Sequence, residues 1–103
     1  MRGDIHRLKP RKGGKGHEQA GTRYGVIVQR DLPLSTVIVC PTSTSANPGV
    51  LRPWISIENV DTLVMTEQVY AVDTQFLGDR VGNVTRDEME RIDKALMFAL
   101  DLD

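Results

Sequence analysis

Two short β-branched runs, YGVIVQR at 24–30 and TVIVC at 36–40, constrain this chain more than any other feature. Valine, isoleucine and threonine lose side-chain freedom in a helix and fit a pleated, half-buried surface, so both runs read as strands. The connecting RDLPLS is short, and Pro41, which has no N–H for a ladder, is expected to end the second run. Two strands cannot bury their own faces, so the rest of the chain must supply partners.

It offers several. Residues 4–9 make a weak first strand anchored by Ile5 and Leu8, and 10–22 form a long Gly/Lys-rich connection containing GGKG. TSTSANPG at 42–49 is a loop by composition. VLRPWISI at 50–57 reads as a strand edged by Pro53, with Trp54 as a packing anchor. LVMTEQVYAV at 63–72 gives one strand or two half-strands, and RVGNV at 80–84 a last short one in which Gly82 marks a bulge.

One helix closes the chain. Thr85 and Glu88 form a capping box, and Asp87 suits the positive end of the helix dipole. Met89, Ile92, Leu96, Ala99 and Leu100 follow at three- and four-residue spacing, which gives a single apolar face. The expected fold is mainly β: one domain over 1–103, a small, strongly curved barrel of five to seven short strands with a C-terminal helix as its cap.

A chain of 103 residues with 40% apolar and 26% charged residues fits one ordinary globular core. The lone Cys40 excludes an internal disulfide and sits in an apolar strand, so a reduced, cytoplasmic setting is expected. No apolar stretch approaches the roughly 20 residues that cross a bilayer, and MRGDIHRLK lacks the apolar core of a signal peptide, so no membrane partner is expected. The net charge of −1 conceals an asymmetry. Residues 1–30 hold eight Lys/Arg against two Asp/Glu, whereas 31–103 hold five against twelve. A basic segment on an acidic body fits a polyanion-binding face, and it also fits solubilising charge unevenly placed.

The candidate chemistry lies at strand ends. His17, Glu18 and Arg23 precede the second strand, Thr42, Ser43 and Thr44 follow the third, and Glu67 and Gln68 interrupt an apolar run. Lys9, Arg11, Lys12 and Lys15 surround the first group with positive charge. With two histidines, one cysteine and no CxxC or HxxxH spacing, there is no metal signature, and no cofactor is expected. GGKG lacks the ending of a P-loop, and no GxSxG elbow is present. Acid–base groups, hydroxyls and an arginine suit a phosphodiester. RNA carries its own 2′-hydroxyl nucleophile, so a protein need only move protons and stabilise the crowded phosphorane. Arginine's fork matches two phosphate oxygens.

GDI at 3–5, GHEQAGTRYGVIV at 16–28, TVIVCPTSTS at 36–45 and TEQV at 66–69 together resemble the MazF/PemK (Kid) family of toxin endoribonucleases. Gly16, His17, Glu18, Gln19, Gly21, Thr22 and Arg23 fall in register with that family's loop motif, and DRVGNVTRDEMERIDKALMFALDL is similar to its closing strand and helix. The resemblance implies the toxin of a type II toxin–antitoxin pair, with an SH3-like or CcdB/MazF-type barrel. It also implies a homodimer, a cognate antitoxin as partner and single-stranded RNA as substrate, cut without metal or ribosome. Carried over by position, Arg23 is the loop arginine of phosphate stabilisation and proton transfer, Glu18 the loop glutamate and His17 the PemK-branch histidine. The hydroxyl after the third strand falls on Ser43 or Thr42, and Glu67 matches a catalytic acid.

Two departures stand out. Tyr24 replaces the proline that normally follows the arginine, and is free to stack on a base together with the RNA-contacting Thr22, Thr44 and Gln68. Met65 stands where the PemK branch has an arginine two residues before its acid. Two rival functions remain from sequence: a CcdB-like gyrase inhibitor, and an RNA-binding barrel without catalysis.

Overall fold

The computed structural model describes residues 1–10 and 23–102. Seven strands and one helix follow in chain order. The strands are β1 (Asp4–Leu8), β2 (Arg23–Ile27), β3 (Thr36–Ser43), β4 (Trp54–Ile57), β5 (Val60–Val64), β6 (Tyr70–Asp73) and β7 (Leu77–Asn83), and the helix is α1 (Arg86–Ala99). They form one curled antiparallel sheet in the order β4-β5-β3-β2-β1-β7, with β6 paired to β3. The expected β architecture with a terminal helix is therefore present.

β3 is the hub of this sheet and explains the largest departure from the sequence reading. Pro41 does not end the strand; it lies inside it, opposite Gly25 of β2. On its other edge β3 pairs with β6 as far as Val39↔Tyr70 and takes up β5 from Thr42↔Val64. The missing N–H of Pro41 thus falls between two ladders, while its carbonyl accepts the Met65 N–H at 2.9 Å. A donor is lost where no partner strand requires one. The extension through Ser43 carries the first hydroxyls of TSTS onto a rigid strand.

The run 63–72 divides: Val64 ends β5, Thr66–Gln68 form a 3-10 turn, and β6 begins at Tyr70. The bulge expected near Gly82 is visible as a register shift in the β1–β7 ladder, where Ile5 faces Gly82 and His6 faces Arg80. Trp54 is no packing anchor. Ile55 and Ile57 point inward, and the period of two sends Trp54 out, leaving it 46% exposed.

The core comprises Ile5, Val26, Cys40, Ile55, Ile57 and Val64 from the sheet, with Val84, Ile92 and Leu96 from the helical end. Both halves of the predicted capping box form: the Thr85 hydroxyl accepts the Glu88 N–H at 3.1 Å, and Glu88 accepts the Thr85 N–H at 2.8 Å. Ile92, Ala95 and Leu96 are buried. Leu100 was expected on the same face but is exposed, because the helix ends at Ala99 and the chain turns away.

Candidate active site

The curl of the sheet brings the start of β2, the end of β3, the β4–β5 turn and the segment Met65–Gln68 around one cleft of about 640 Å³. Arg23 and Tyr24, Thr42 to Ser45, Glu58 and Gln68 all line it. Five sequence-predicted residues after Arg23 therefore meet there: Tyr24, Thr42, Ser43, Thr44 and Gln68. Among the described residues no acid lies within ion-pair distance of Arg23.

The two candidate hydroxyls differ in what they are free to do. Thr42 is buried and its Oγ1 donates to the Tyr24 carbonyl at 3.0 Å, so its proton is committed to joining β3 to β2. Ser43 Oγ instead accepts the N–H groups of Ser45 at 3.1 Å and Ala46 at 3.0 Å. Those bonds orient the oxygen and shape the loop, and among the described residues its hydroxyl proton meets no acceptor.

Tyr24 is fixed from three directions. Its backbone pairs opposite Arg7 of β1. The Arg7 guanidinium lies 5.6 Å from the ring centroid, a cation–π contact. Its hydroxyl donates to Glu58 Oε1 at 3.1 Å. Glu58 was not singled out from sequence. It occupies the two-residue turn between β4 and β5, where Glu58 and Asn59 both have positive φ, 51° and 69°. Such turns match the right-handed twist of the strands they join. A hairpin boundary read at Glu58-Asn59 was the available signal; asparagine tolerates this conformation, and a glutamate held in it is uncommon.

Glu67 is not brought into the cleft. It turns to the opposite side of the 3-10 segment, where Arg52 Nη2 and Nε donate to its Oε2 at 2.6 and 3.0 Å. The same guanidinium donates from Nη1 to the Asn47 carbonyl at 2.9 Å and so ties the loop after β3 in place. The hydrogen bonds from Arg52 hold the Glu67 carboxyl below its ordinary value of 4.5. Lys9 is exposed beyond the end of β1, with its N–H on the Phe76 carbonyl. His17, Glu18, Arg11, Lys12, Lys15 and Thr22 lie outside the described residues.

The family profile described as PemK-like, MazF-like toxin of type II toxin–antitoxin system matches residues 1–100. The chain belongs to this toxin family. A candidate toxin of Mycobacterium tuberculosis is 35% identical over 99% of this chain and 98% of its own length. Among solved structures, the Mycobacterium tuberculosis toxin MazF-mt6 superposes with a TM-score of 0.78 at 19% identity, covering 97% of this chain and 98% of that one. A mycobacterial endoribonuclease solved with its cognate antitoxin gives 0.81 at 21% identity, covering 100% and 96%. MazE–MazF of Deinococcus radiodurans gives 0.78 at 12% identity, covering 99% and 95%. These likenesses show a shared fold, and the resemblance read from the GHEQAGTR motif and the closing strand and helix is confirmed as membership. In this PemK/MazF-like toxin the guanidinium that donates to Glu67 is that of Arg52, at 2.6 Å.

Proposed function

We propose that this toxin is a sequence-specific endoribonuclease that cuts single-stranded RNA by attack of the 2′-hydroxyl, giving a 2′,3′-cyclic phosphate and a 5′-hydroxyl. The observation that carries the proposal is the cleft itself, lined by an arginine and a serine that, among the described residues, have no acidic partner and no acceptor for the hydroxyl proton, respectively. A guanidinium in that position binds two non-bridging oxygens of a phosphodiester and stabilises the charge that builds on the phosphorane. Arg23 serves as this phosphate ligand and as proton donor to the departing 5′-oxygen, and Ser43 donates a hydrogen bond to a phosphate oxygen. Glu18 or His17 takes the 2′-hydroxyl proton. Thr42 acts by positioning Tyr24, and Glu67, bound to Arg52, takes no part in proton transfer.

Lys9, Arg11, Lys12 and Lys15 attract and steer the polyanion, and Thr22, Thr44 and Gln68 contact it. No metal is required, because the substrate supplies the nucleophile. The toxin acts in the cytoplasm as a homodimer restrained by its cognate antitoxin. Phe98 (70% exposed), Leu100 and Leu102 at the end of α1 are apolar surface suited to such an interface.

Incubation of the purified protein with long RNA in EDTA, followed by end mapping, tests the reading. Discrete cuts with 5′-hydroxyl ends that disappear in Arg23→Ala support it. Intact RNA accompanied by inhibited DNA supercoiling would replace it with the gyrase reading, and RNA binding without cuts would replace it with the non-catalytic one.

A further inference from the structure

A carboxylate in a cleft that receives a polyanion needs a reason, since it repels every phosphate that approaches. Glu58 lines the cleft from a turn whose backbone holds it at φ 51°, a conformation unfavourable for glutamate. Its Oε1 accepts the Tyr24 hydroxyl at 3.1 Å, which ties one carboxylate oxygen to the edge of the tyrosine ring. The Arg7 guanidinium covers one side of that ring, and Tyr24 packs in part against the core and also lines the cleft. An aromatic surface beside a tethered carboxylate is an arrangement that can hold an unstacked base: the ring stacks on its face and the polar group reads its edge.

We propose that Tyr24 and Glu58 form a base-reading subsite selective for guanine, an inference that rests on the endoribonuclease reading above. Guanine is the base whose Watson–Crick edge presents two adjacent donors, N1–H and the N2 amino group, spaced to meet the two oxygens of one carboxylate. Adenine and cytosine each offer one amino group next to a ring nitrogen acceptor, which faces a carboxylate oxygen unfavourably. Uracil places carbonyl oxygens on both sides of its single N–H. Glu58 therefore attracts one base and repels the others. The phosphate repulsion is offset only when that base is in place, which makes the residue a specificity determinant.

The test maps every cut made in a mixed-sequence single-stranded RNA by the wild-type full chain, by Glu58→Gln and by Glu58→Ala, with circular dichroism confirming that each variant is folded. Guanine at one constant position relative to the cut is expected for the wild type. Glu58→Gln, which presents an acceptor and a donor side by side, is expected to lose about tenfold of that guanine preference and to gain adenine or cytosine there. Glu58→Ala loses the preference without gaining another. In a synthetic substrate, inosine at the guanine position removes the N2 amino group and should slow the wild type about tenfold relative to guanine while leaving Glu58→Ala indifferent. A wild-type pattern with no constant guanine, an unchanged preference in the variants, or an equal loss at every site overturns the proposal. If the wild type cuts no RNA at all, the endoribonuclease reading fails, a result distinct from cutting without guanine selection.

Discussion

Two neighbouring corners at the end of β3 carry the same ingredients and use them differently. In one, Arg52 spends donors on Glu67 and on the Asn47 carbonyl, so its charge is matched within the chain. In the other, Arg23 has no ion-pair partner among the described residues, and the nearby Glu58 is engaged by a tyrosine hydroxyl instead of a guanidinium. The first corner holds a loop in place, and the second, on the function proposed above, receives a phosphate. Residue type therefore does not distinguish the two arginines; the disposition of their donors does. Glu67 and Gln68 make the same point within one 3-10 turn, since the first belongs to the closed corner and the second to the open cleft.

The contrast can be broken by experiment. Removing the open arginine should be the larger effect: Arg23→Ala is expected to lower single-turnover RNA cleavage by about 10²–10³-fold, the scale of a lost transition-state donor. Arg52→Ala should cost far less in cleavage, and an equal loss in both variants would erase the distinction drawn between the corners. Next comes the hydroxyl pair. Ser43→Ala is expected to reduce the cleavage rate roughly tenfold, about the value of one hydrogen bond. Thr42→Val should lower unfolding stability by about 1 kcal/mol through loss of the bond to the Tyr24 carbonyl. Denaturant melts and rate measurements on both variants separate the two roles.

A smaller effect concerns pH. The folded Glu67 carboxyl titrates below its ordinary 4.5 because Arg52 donates to it. Its contribution to stability is complete above that ordinary value and disappears as pH falls through the depressed one. Acid titration of the melting temperature should therefore be steeper for the wild type than for Arg52→Ala. The smallest signal is chemical: burial pushes the Cys40 thiol up to about 12. A thiol reagent at about pH 8 should label Cys40 only at the rate of unfolding, and fast labelling would show that β3 opens independently of the rest.

Much of this was readable beforehand. β-Branched density marked β2 and β3, and the capping box and apolar spacing marked α1, because both signals depend on residues near one another in the chain. The basic N-terminal third and the motif ending at Arg23 pointed to RNA for the same reason. What escaped was set by distant partners. Pro41 reads as a strand end because it has no N–H for a ladder, and the change of neighbour beside it, from β6 to β5, is not visible in the chain. Trp54 looked buried because its size outweighed the alternation that places Ile55 and Ile57 inside. Glu58 was passed over because its importance arises only when the β4–β5 turn folds back on Tyr24.

The sequence by itself determined the fold class, the family and the kinds of groups available: an arginine, hydroxyls, carboxylates and a basic loop. Local propensity and a contiguous motif suffice for that. Only the tertiary structure decided which of those groups face one another. It committed the proton of Thr42 and left that of Ser43, assigned Glu67 to Arg52, and set Glu58 against Tyr24. Side chains far apart in the chain meet only through the curl of a sheet whose central strand changes neighbours at Pro41.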